Sequence, residues 1–129
     1  MKYDEFIKHV QSAAQIESRD DAKRAIQVTF AMLAQRIYGK EAEDLASQLP
    51  EEMAQYLRGD EEENGEYLSL KKFYERVAQK EGVDGPTAAI HVRAVLSVLQ
   101  QAVTPGQFSH IRANLPGEYR ELFVAQSVK

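Results

Sequence analysis

Apolar residues recur along this chain every three to four positions, in runs broken by Pro, Gly or a capping residue. That is the spacing of one face of an α-helix. Tyr3 to Ala14 places Phe6, Ile7, Val10, Ala13 and Ala14 on one stripe, with Asp4 and Glu5 early, where acids suit the positive end of a helix. Ser18 and Asp21 have capping-box spacing, and Ala22, Ala25, Ile26, Thr29, Phe30, Leu33 and Ile37 predict a long second helix reaching Tyr38 and closed by Gly39. Lys40 to Leu49 predicts a third helix. Pro50 starts a fourth, because proline at the first helical position forfeits no intrahelical hydrogen bond. Ser69 caps a fifth helix, with Leu70, Phe73, Val77 and Ala78, that stops at Gly82. Asp84-Gly85-Pro86 opens a long sixth helix carrying Val92, Val95, Leu96, Leu99 and Val103. Thr104 and Gln107 form a second capping box for a seventh helix through Phe108 and Ile111, and Pro116 starts an eighth. Sustained period-two alternation is missing, so no strands are expected.

The pattern occurs twice. Residues 22–57 align without a gap on 88–123, an offset of 66, and before that block the offset is 67, pairing Phe6 with Phe73 and Val10 with Val77. Core positions match in kind (Ile26/Val92, Phe30/Leu96, Leu45/Ile111) and Leu49-Pro50 returns as Leu115-Pro116. Two copies are too few for a solenoid, which needs about three stacked units. The expected fold is all-α: about eight helices as two repeated four-helix units, 3–58 and 69–125, in one pseudo-twofold bundle. Between them Gly59 to Glu66, GDEEENGE, lacks any apolar residue and reads as an acidic linker within a single domain, 1–129.

The Ala-rich long helix followed by a short helix ending in Leu-Pro and a final aromatic, DLASQLPEEM and IRANLPGEYRELF, resembles the bacterial family catalogued as domain of unknown function 2267. The resemblance covers Tyr3 to Phe123, and its most specific part is TPGQFSHIRANLPGEYRELF. It implies an all-helical prokaryotic protein without an established activity and carries over no catalytic residues. The first copy departs from the second in having Gly39-Lys40 where the second has Pro105-Gly106, which affects the local cap.

Composition narrows the function classes. Sixteen basic against 20 acidic residues give a net charge of −4, which repels phosphate backbones and anionic membranes. The absence of Cys removes disulfides and thiolate chemistry and is compatible with a reducing cytoplasm. The N-terminus has no apolar signal core, and no stretch approaches the roughly 20 apolar residues of a membrane span. His9, His91 and His110 are far apart in sequence, and in the repeat His91 replaces Ala25 while His110 replaces Asp44, so no symmetric metal site is expected. No serine sits in a nucleophile elbow, and Gly82, Gly85 and Gly106 border helix ends rather than forming a phosphate loop. Glu52 and Glu118 recur in the first turns of their helices and read as helix-end electrostatics. A helix-turn-helix at Leu49-Pro50 would present Glu51 and Glu52 to phosphates, which argues against DNA.

No catalytic residues, metal ligands or cofactors are therefore assigned, and the reading leans away from an enzyme. The leading function is a non-catalytic helical interaction or assembly module of the cytoplasm, with a protein partner or a second copy as its target. The alternative is a small-molecule binder using the groove between the two repeats. Val28, Met32, Ala94 and Val98 give the two long helices a second apolar face. That face is expected either where the long helices cross or, if left exposed, as the partner site.

Overall fold

The computed structural model describes residues 1–37, 40–58 and 68–123, and every regular element among them is helical. The α-helices are α1 (Tyr3–Ala14), α2 (Arg19–Ala34), α3 (Lys40–Ala46), α4 (Glu51–Leu57), α5 (Leu70–Glu81), α6 (Gly85–Ala102) and α7 (Pro105–Asn114). A 3-10 helix, Gly117–Phe123, follows them. The acidic segment 59–66 and the closing Gly39 lie outside the described residues.

Helix starts follow from local chemistry. Ser18, Ser69, Asp84 and Thr104 each accept, through the side chain, the backbone N–H three residues on (Asp21, Lys72, Thr87 and Gln107) at 3.1, 3.2, 2.8 and 3.2 Å. Each bond satisfies a donor that the first turn leaves free.

Several helix ends differ from the sequence reading. α2 stops at Ala34 rather than Tyr38, because Gln35 and Arg36 donate three residues back, to Met32 and Leu33, and tighten the last turn. α3 ends at Ala46 in the same way, with Gln48 and Leu49 bonded back to Leu45 and Ala46. Pro50 stands one position before its helix, as an N-cap with extended ψ of 147°. The eighth element is a 3-10 rather than an α-helix, with Gly117 where the first copy has Glu51. In the Thr104 box the returning bond does not come from Gln107. The Thr104 N–H donates to Oε1 of Gln48, at 3.0 Å, from the other half of the chain.

The long helices α2 and α6 pack on each other, and α1 and α5 each pack on both. The first helix of each half thus lies against the long helix of the other half as well as its own. Outside this layer α4 covers α2, the 3-10 helix covers α6, and α3 meets α7. One apolar core runs through both halves, from Phe6, Ile26 and Phe30 to Phe73, Leu96 and Tyr119. Phe6 meets Phe30 and Phe73 meets Tyr119 edge-to-face, at 5.9 and 5.4 Å between ring centroids. The buried Tyr119 hydroxyl donates to the Leu68 carbonyl at 2.6 Å, so the one polar atom of that ring is satisfied inside the core.

Candidate functional site

The turns that join α1 to α2 and α5 to α6 are built alike. α1 ends on Gln15 and α5 on Gly82, both left-handed, with φ of 58° and 79°. Ile16 N–H then donates back to Gln11 at 2.9 Å, and Val83 N–H to Ala78 at 3.0 Å. These five-residue return bonds, each followed inward by an apolar side chain, are the Schellman way of ending a helix. Ile16 and Val83 both pack against the core.

The two turns face one cleft of about 370 Å³. Gln15, Ile16, Glu17, Asp21 and Arg24 line one side, and Glu81, Gly82, Val83 and His91 line the other. In its wall Glu81, the last residue of α5, meets His91 of α6 with Oε1 2.6 Å from Nδ1, their side chains 2% and 11% exposed. With the carboxylate accepting, the Nδ1–H donates and the ring orientation is set by that bond. The second carboxyl oxygen, Oε2, is buried and has no hydrogen-bond partner among the described residues. An orphaned buried acceptor costs about 1–3 kcal/mol, more when charged, so this oxygen is the least satisfied point of the cleft.

The rim is more ordinary. Arg24 lies 3.6 Å from Asp21 with both side chains more than half exposed, an ion pair of little energetic weight. Gln11 Nε2 donates to the carbonyls of Ile16 and Glu17 at 3.3 and 3.0 Å and fixes the path of the first turn.

The Glu81–His91 pair is not apparent from either residue alone. They are ten positions apart across a helix break, and the pairing depends on how α5 crosses α6. At the offsets of the expected repeat, Glu81 aligns with Ala14 and His91 with Ala25. Two small apolar positions of the first copy are both polar in the second, as expected of two residues that face each other.

The second apolar face lies elsewhere. Met32, Ala94 and Val98 are 1, 1 and 2% exposed, and Val28 is half-buried against the core. Met32, Ala94 and Val98 are thus buried within the chain, on helices α2 and α6 that pack together. His9 and His110 are exposed and apart from the cleft. No three His, Asp or Glu side chains among the described residues are grouped to hold a metal ion. Glu118 does more than its own helix end requires: Oε1 accepts the Leu70 N–H at 3.1 Å and so caps α5 from a distance. A second cleft of about 560 Å³ contains Arg112 and Arg120, but both are exposed, and it adjoins Phe123, where the described residues end.

A family model described as an uncharacterized conserved protein, DUF2267, matches residues 3–122. Among curated proteins none matches the chain.

Proposed function

The chain belongs to the DUF2267 family, whose description carries no activity, and from its own geometry we propose a non-catalytic protein that binds a small molecule between its two halves. One observation carries this reading: Glu81, in the wall of a cleft of about 370 Å³, has a buried carboxyl oxygen without a hydrogen-bond partner among the described residues. Small-molecule sites are typically clefts of about 300–1,000 Å³ with a few convergent polar groups. The lining residues include no hydroxyl, thiol or amine nucleophile beside the Glu–His pair, which favours binding over covalent catalysis.

Part of the same proposal is that 3–58 and 69–125 are duplicated units related by a pseudo-twofold, with the cleft between equivalent turns. Supporting it, α1 and α5 have 12 residues each, and α1 lies on α6 as α5 lies on α2. The left-handed Gln15 and Gly82 also fall at aligned positions. An assembly module has less support, since the exposed large hydrophobics among the described residues are Met1 and Ile90. We place the protein in the cytoplasm, in keeping with the lack of Cys; no described helix is long and apolar enough to cross a membrane.

The test is a titration of the isotope-labelled protein with a panel of small polar fragments, read by backbone NMR shifts. Saturable shifts at Ile16, Gly82 and Val83 and in the His91 ring are expected. A panel that moves none of these signals would remove the binding reading.

A further inference from the structure

We propose that the cleft takes a small organic cation, a ligand with an ammonium, amidinium or guanidinium head, whose N–H groups donate to Oε2 of Glu81. This rests on the binding reading above and adds the chemical class of the ligand.

The open valence at Glu81 has a definite polarity. An ionised carboxylate oxygen can only accept. The complementary ligand group must therefore be a donor, and a charged donor makes the stronger hydrogen bond. Glu81 Oε1 is already engaged by His91, so Oε2 is the oxygen left to a ligand.

Charge around that oxygen is unbalanced. The cleft presents three carboxylates (Glu17, Asp21 and Glu81) against Arg24 and the ring of His91. Arg24 lies beside Asp21 and His91 is bonded to Glu81, which leaves the Glu17 carboxylate among the lining groups and the buried Oε2 of Glu81 in the wall. An anion would meet three carboxylates against the one guanidinium of Arg24. A cation meets a lining in which carboxylates predominate.

The backbone adds to the negative potential of the cleft. α1 and α5 both end at the cleft, and a helix C-terminus carries a partial negative charge in its last turn. The last turn of α1 has no basic side chain to offset this. The competing positive end, the start of α2, is already served by the Ser18 cap and by Asp20 and Asp21.

A cation of this kind is better matched than a bare divalent ion. A calcium-like ion takes about six to eight oxygen ligands, and no three ligating side chains are grouped among the described residues. Ile16 and Val83, both half-buried at the turns, offer apolar contact to an alkyl chain behind the charged head. The class is thus an amine or amidine on a short aliphatic stem.

The experiment compares n-butylammonium, butyrate and 1-butanol, which share an alkyl chain and differ in the charge of the head. Each is titrated into the labelled protein while the signals of Ile16, Gly82, Val83 and the His91 ring are followed. Saturable shifts with n-butylammonium alone are expected. Glu81→Gln, checked by circular dichroism for retained helix, should weaken that binding about tenfold or more, the range of one charge-assisted hydrogen bond. Binding of butyrate or 1-butanol equal to or tighter than n-butylammonium overturns the ligand class while the binding reading stands. Silence from all three, with a hit in the wider panel, does the same, and silence throughout defeats the binding reading itself. A loss on Glu17→Gln with none on Glu81→Gln would move the anchor out of the cleft wall and overturn the proposal. If Glu81→Gln does not fold, the three-ligand comparison on the unmodified chain still decides.

Discussion

Gln15 and Gly82 hold the same left-handed conformation at aligned positions, and only one of them suits it. A residue with a Cβ is less favourable there by roughly 1–2 kcal/mol, whereas glycine is free of that cost. A Cβ built on Gly82 would meet no atom within 4 Å, so the effect of Gly82→Ala is conformational rather than a clash. Gly82→Ala should lower stability by about 1 kcal/mol, and Gln15→Gly should raise it by somewhat less, since the added glycine also loosens the unfolded chain. Urea unfolding midpoints at unchanged slope are the measurement; a Gln15→Gly variant no more stable than the parent would refute the strain at that turn. The left-handed end at Gly82 was legible in the sequence because glycine marks it. Its counterpart at Gln15 was not, because nothing in glutamine signals a positive φ.

At the scale of the element, helix starts hold carboxyl groups below their usual range. The Thr87 hydroxyl and N–H hold the Asp84 carboxyl below the usual range. Arg19 does the same to Asp4, and the Lys2 N–H to Glu5. A carboxylate held down in the folded chain takes up its proton more readily when unfolded. Its contribution is therefore present above the unfolded value of about 4 and lost as pH falls through the folded one. Stability should drop on acidification below about pH 4. Asp84→Asn, which keeps a capping oxygen but cannot ionise, should lessen the drop. Urea midpoints measured near neutrality and in acid check this, and an Asp84→Asn variant with the parent's full acid sensitivity would exclude the cap as a cause. The capping residues were legible because a side-chain oxygen three residues before a free N–H is a local arrangement. The early ends of α2 and α3 were not, since the apolar stripe continues past the point where the backbone tightens.

For the whole molecule, the informative contacts are those of α1 with α6 and α2 with α5. Each half supplies a helix that helps cover the other half's long helix, so neither half buries its own stripe alone. A protease site introduced within 59–66 and then cut should leave the two fragments together through gel filtration. Fragments that separate and stay helical would make the halves two domains. The sequence by itself determined the helical elements, their order and the apolar stripes, because periodicity, caps and Leu-Pro breaks act over a few residues. The crossings of α1, α2, α5 and α6 were decided only in three dimensions, and with them the burial of Met32, Ala94 and Val98. So was the meeting of Glu81 with His91. Helix packing is set by the shapes of both partners, and two polar residues ten positions apart meet only when that packing brings their helices together.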